Sequence, residues 1–124
     1  MGRYILAGDG SLIVERRATP RYDVSLQVDI EIWAGSQALQ GVTTNLSENG
    51  LQVVVPQRVA ERALLRIESK TFKALGEVVW SREDEHGCRL GLQFVSLTSK
   101  DRNAVRNLIA ELVREQERNA VQFA

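Results

Sequence analysis

From Val24 to Ile32 the chain reads Val24-Ser25-Leu26-Gln27-Val28-Asp29-Ile30-Glu31-Ile32, apolar at every even position and polar at every odd one. Successive side chains of an extended chain point to opposite faces, so this period of two marks a strand with one side in a core and the other in water. The reading extends outward from there. Gly35-Ser36 turns the chain into residues 38–46, where Val42, Thr44 and Leu46 keep the same period. Ser47-Glu48-Asn49-Gly50 separates that run from residues 51–55, which Pro56 ends. Asn-Gly between two strand-like runs predicts a tight hairpin turn, because both residues tolerate positive φ.

Residues 63–68 and 71–80 read as a further hairpin around Ser69-Lys70, and a charged tip, residues 82–87, leads into residues 88–97. Cys88, Leu90, Leu92 and Phe94 there alternate inward. After Leu97 the period changes, and Val105, Leu108, Ile109 and Leu112 fall at i, i+3, i+4 and i+7, the stripe of an amphipathic helix. Thr98 or Ser99 caps it, Asp101 suits the positive end of its dipole, and it runs to about residue 117. The expected fold is all-β with a C-terminal helix: a six-stranded antiparallel barrel, closed because closure removes exposed edges, capped by one amphipathic helix. The expected organisation is an N-terminal lead over residues 1–14, a barrel domain with its helix over 15–118 and a tail over 119–124. In the lead, Tyr4-Ile5-Leu6 and Leu12-Ile13-Val14 form either a small hairpin or a disordered segment.

The 124 residues suit one domain, and 44% hydrophobic with 26% charged residues is an ordinary globular composition. No apolar run approaches the roughly 20 residues of a spanning helix, and the N-terminus lacks the apolar core of a signal peptide, so a cytoplasmic protein is expected. One cysteine, Cys88, and one histidine, His86, leave no disulfide and too few nitrogen and sulfur ligands for zinc. No metal, no cofactor and no catalytic group are expected. Sixteen basic and sixteen acidic residues cancel, so no overall field gathers a long polyanion. Anion binding must be local, and the densest basic stretch is Glu15-Arg16-Arg17-Ala18-Thr19-Pro20-Arg21.

In that stretch Pro20 stiffens an arm carrying Arg17 and Arg21, whose planar forks suit a phosphate or the O6/N7 edge of guanine. The alternative is a solvated basic linker. A second element is Asn45-x-Ser47-x-x-Gly50, where Asn45 and Ser47 offer donors and acceptors to a base edge and Gly50 permits a sharp return. Its alternative is a turn built for local reasons. Asn45-Leu46-Ser47 also fits a glycosylation sequon, an accidental match without a secretion signal.

Together, an RxxxR arm followed by [D/N]xSxxG, Val78-Val79-Trp80, Gly91-Leu92-Gln93-Phe94 and a terminal helix resemble the PilZ domain over residues 15–112. The resemblance implies that the bacterial second messenger cyclic di-GMP binds outside the barrel, between arm and hairpin. It implies that Arg17 and Arg21 contact phosphate and guanine, and that Asn45 and Ser47 meet a guanine edge. Many members carry Asp where this chain has Asn45, which offers one acceptor oxygen rather than two. The basic residue before the pair, Arg16, is associated with two stacked cyclic di-GMP molecules per chain. Arg89 and Gln93, opposite the core set of their strand, are additional candidates for the ligand surface. Trp33 and Trp80 can stack on a base, although barrel aromatics more often pack on the core or helix. His86 and the acidic residues beside it read as a solvated hairpin end.

The rivals are a nucleotide-free PilZ-like protein-interaction module and a single-strand nucleic-acid-binding barrel, the latter opposed by neutral charge. A downstream protein partner is expected without being identified, with no nucleic acid, no membrane insertion, and the helix stripe available for a homodimer.

Overall fold

The computed structural model describes residues 4–6, 12–14, 20–32 and 37–122. Strands β1 (Tyr4–Leu6) and β2 (Leu12–Val14) pair antiparallel as a separate two-stranded ribbon, Tyr4 opposite Val14. The rest form one sheet: β3 (Tyr22–Asp23), β4 (Gln27–Ile32), β5 (Ala38–Ser47), β6 (Gly50–Val55), β7 (Leu64–Glu68), β8 (Lys73–Asp84) and β9 (Gly87–Ser96). Their order is β3-β5-β4-β7-β8-β9-β6, every neighbour antiparallel, and pairing of β5 with β6 closes β4 to β9 into a six-stranded barrel. The extra strand β3 lies along the last residues of β5. Helix α1 (Ser99–Gln122) completes the chain, five residues longer than its sequence periodicity suggests.

Alternation fills the barrel as expected. Val28 and Ile30 of β4, Leu65 and Ile67 of β7, and Cys88, Leu90 and Leu92 of β9 are buried together, and Val105 brings the helix onto this core with Ala104, Leu108 and Ile109 beside it. The helix start is tied down twice. Thr98 Oγ1 accepts from Asp101 N and donates to Asp101 Oδ2, while Lys73 N donates to Asp101 Oδ1, fastening α1 to the head of β8.

Strict alternation breaks at bulges, and the break in β5 corrects a sequence expectation. In β5 the inward residues are Leu39, Gly41 and Thr43, then Leu46. Thr43 pairs with Val53 but Asn45 pairs with Gln52, so Thr44 is one residue too many. Val42 is consequently 45% exposed, and Val42 and Thr44 do not share the inward face of Leu46. The inward Thr43 hydroxyl is satisfied, accepting from Leu26 N at 2.8 Å and donating to Val24 O at 2.7 Å. Those bonds occupy the irregular Val24–Leu26 segment, which is why regular pairing of β4 starts only at Gln27.

In β8, Val78 pairs with Leu92 and Trp80 with Gly91, leaving Val79 as the extra residue at 47% exposure. The strand continues to Asp84, so most of the expected charged tip is strand and only Glu85-His86 turn. The turn between β5 and β6 is Glu48-Asn49, closed by the Ser47–Gly50 pair, and neither Asn49 nor Gly50 has positive φ. Gly50 is required for another reason: a Cβ there would meet the Leu92 carbonyl oxygen at 2.0 Å.

Candidate functional site

A bulge reverses which face the following residues occupy. The extra residue at Thr44 puts Asn45 and Ser47 on the outer side of the sheet, Asn45 half-buried and Ser47 buried there, and the one at Val79 turns Trp80 outward. Directly paired residues share a face, so register defines rows across the outside of the barrel. One row runs Asp23, Asn45, Gln52, Gly91, Trp80 over five strands. The next runs Ser47, Gly50, Gln93, Glu77, and continuing the β3 register by one residue sets Arg21 opposite Ser47. A third row holds Val42, Val54, Arg89 and Arg82.

The sequence candidates separate on this lattice. Arg21, exposed, joins Asn45, Ser47, Gly50 and Gln93 in the two adjacent rows. Arg89 lies in the third row and is engaged by Asp84 Oδ2 at 3.3 Å. Arg16, Arg17 and Trp33 lie outside the described residues.

Asn45 is half-buried, and its Oδ1 is buried with no hydrogen-bond partner among the described residues. An unsatisfied buried acceptor costs about 1–3 kcal/mol and calls for an explanation, an external donor being one. Ser47 is different. Its hydroxyl accepts from Asn49 N at 3.2 Å and donates to Gly50 O at 3.3 Å, so it braces the turn that Gly50 closes. Outside that turn, Arg106 Nε of α1 stands 3.5 Å from Glu48 Oε1.

Trp80 departs from the expectation that it packs on the core or the helix. It is half-buried and lies over Gly91, where an added Cβ would come 2.1 Å from the indole Nε1. The ring packs on the outer backbone of β9 instead of on the core or the helix. The glycine facing it was a signal in the sequence, but only the Val79 bulge puts the two in register. His86 stands exposed in its turn with its N–H donating to Asp84 Oδ1. Among the described residues no group of His, Cys, Asp or Glu is arranged to hold a metal ion, and no helix is long and apolar enough to cross a membrane.

A closed barrel whose outer face lines up a carboxylate, two amides and an indole is a barrel domain whose candidate binding surface lies outside. The family model of the PilZ domain matches residues 15–111, and the chain belongs to that family. Structural relatives carry the same fold. YcgR from Escherichia coli in complex with c-di-GMP superposes with a TM-score of 0.72 at 16% identity, covering 91% of this chain and 53% of that one. The c-di-GMP complex of MrkH from K. pneumonia gives 0.70 at 14% identity, covering 87% and 56%. The isolated PilZ domain of YcgR with c-di-GMP gives 0.65 at 17% identity, covering 86% of this chain and 98% of the domain. The chain thus spans about half the length of the YcgR and MrkH chains. No curated protein sequence matches significantly.

Proposed function

We propose that this chain is a cyclic di-GMP receptor domain that converts binding of the second messenger into a change of conformation or contacts. The observation that carries the reading is the orphaned Oδ1 of Asn45, held at the hairpin of the family motif beside Arg21 and Ser47. A guanine edge carries N–H donors for such an acceptor, and the arginine arm carries charge for the phosphates. In the proposed site Arg17 and Arg21 hold phosphate and guanine, Asn45 meets a guanine edge, Ser47 and Gly50 hold the turn, Gln93 flanks it, and Trp80 offers a stacking surface. Arg89 serves at the margin.

Arg16 adds a third positive charge, which fits two stacked molecules per chain, since four phosphate charges would repel one another across two arginines alone. Calorimetric titration with cyclic di-GMP, against GTP, cyclic GMP and a short oligonucleotide, tests the reading: binding of cyclic di-GMP alone is expected, and its absence refutes it. In the same titration a ratio of two that falls to one in Arg16→Leu supports stacking, and a ratio of one in both excludes it. The likeness of the fold to proteins solved with c-di-GMP supports the assignment. Neutral net charge disfavours the single-strand nucleic-acid alternative.

A further inference from the structure

We propose that Asp23 is a specificity-determining residue of this site, supplying the outward carboxylate that reads the donor edge of guanine. The inference rests on the cyclic di-GMP reading above. Asp23 is directly opposite Asn45 in the β3–β5 pair, so their side chains leave the same face with Cβ atoms about 5 Å apart. Asp23 is exposed, whereas the single acceptor oxygen of Asn45 is buried. The Asp23 carboxylate therefore adds a solvent-facing acceptor beside the one that Asn45 offers from its half-buried position.

A carboxylate accepts through two oxygens, matching the paired N1–H and N2–H donors of guanine, and a charge-assisted bond is stronger than one to an amide. Charge placement points the same way. An aspartate at 45 would face Asp23 directly, and like charges at opposed positions destabilise a sheet. With asparagine at 45, the pair carries one negative charge, and it resides on β3.

The test compares cyclic di-GMP with cyclic di-inosine monophosphate, whose base keeps N1–H, O6 and N7 but lacks the N2 amine. Wild type should prefer the guanine ligand by about tenfold, the scale of one charge-assisted hydrogen bond. Asp23→Asn should weaken cyclic di-GMP binding by a similar factor and narrow the preference. The double variant Asp23→Asn/Asn45→Asp, which moves the charge across the pair, should recover most of both. An Asp23→Asn protein with unchanged affinity, or with weaker binding and an undiminished preference, overturns the role of Asp23 and leaves the receptor reading standing. Failure of wild type to bind cyclic di-GMP removes both. Melting curves of each variant establish that the exposed substitution leaves the barrel folded.

Discussion

Trp80 lies across Gly91 because only a residue without a Cβ leaves room for the indole. Its ring is outside the core, so Trp80→Ala should leave the barrel folded and remove a stacking surface. Base–aromatic stacking contributes about 1–3 kcal/mol, so cyclic di-GMP affinity should drop by about one to two decades in calorimetry; an unchanged constant would take Trp80 out of the site. Arg21→Ala should cost a comparable amount, as one bidentate contact is worth about 1–3 kcal/mol. Ser47→Ala belongs to a different measurement. Its hydroxyl is spent on the turn, so the loss of about 0.5–1.5 kcal/mol should register in urea unfolding as well as in binding. Asn45, Ser47 and Gly50 were legible in the sequence because they share one hairpin, where spacing along the chain is spacing in the fold. Asp23 was not, and Trp80 stood there only as a stacking candidate without a place, since what brings both beside that hairpin is register between distant strands.

At the scale of elements, the period of two located the β4, β6, β7 and β9 strands to within a residue or a few. It misassigned the inward face of β5, where Thr44 is an extra residue, because alternation is a local rule and a bulge answers to the partner strand. Strand β3, two residues long, left no periodic trace. Thr43 holds this bend, and Thr43→Val would leave Leu26 N and Val24 O without their partner, costing about 1–3 kcal/mol in denaturant unfolding. Helix α1 depends on Asp101, whose carboxyl is held below the ordinary aspartate range by the Thr98 hydroxyl and then by the Lys73 backbone N–H. A folded-state pKa below the unfolded one adds stability above the unfolded pKa and loses it as pH falls through the folded value. Asp101→Asn should therefore melt below wild type at pH 7, and the gap should close under acid conditions below the usual carboxylate pKa; a gap independent of pH would refute the charge-based account.

For the whole molecule, closure leaves no unpaired edge between β4 and β9, and the balanced charge leaves recognition to local geometry. A ligand that binds only the folded barrel stabilises it by about 2.7 kcal/mol at a hundredfold excess over its dissociation constant, about 10 °C in Tm for a domain of this size. Scanning fluorimetry should register that shift with cyclic di-GMP and none with GTP. The bulges at Thr44 and Val79 carry a consequence for descent with modification. On either side of each, interior and exterior are spelled in different frames of the same strand. Substitutions at 45 or 80 can therefore rewrite what the surface recognises without changing a single interior residue. Deletion of Thr44 would restore strict alternation and leave Asn45 and Ser47 outward and Leu46 inward, so the bulge is where this strand can lose a residue without exchanging recognition and core. Among relatives, length should vary at these two positions more readily than at their neighbours, where one residue more or less would exchange the two faces.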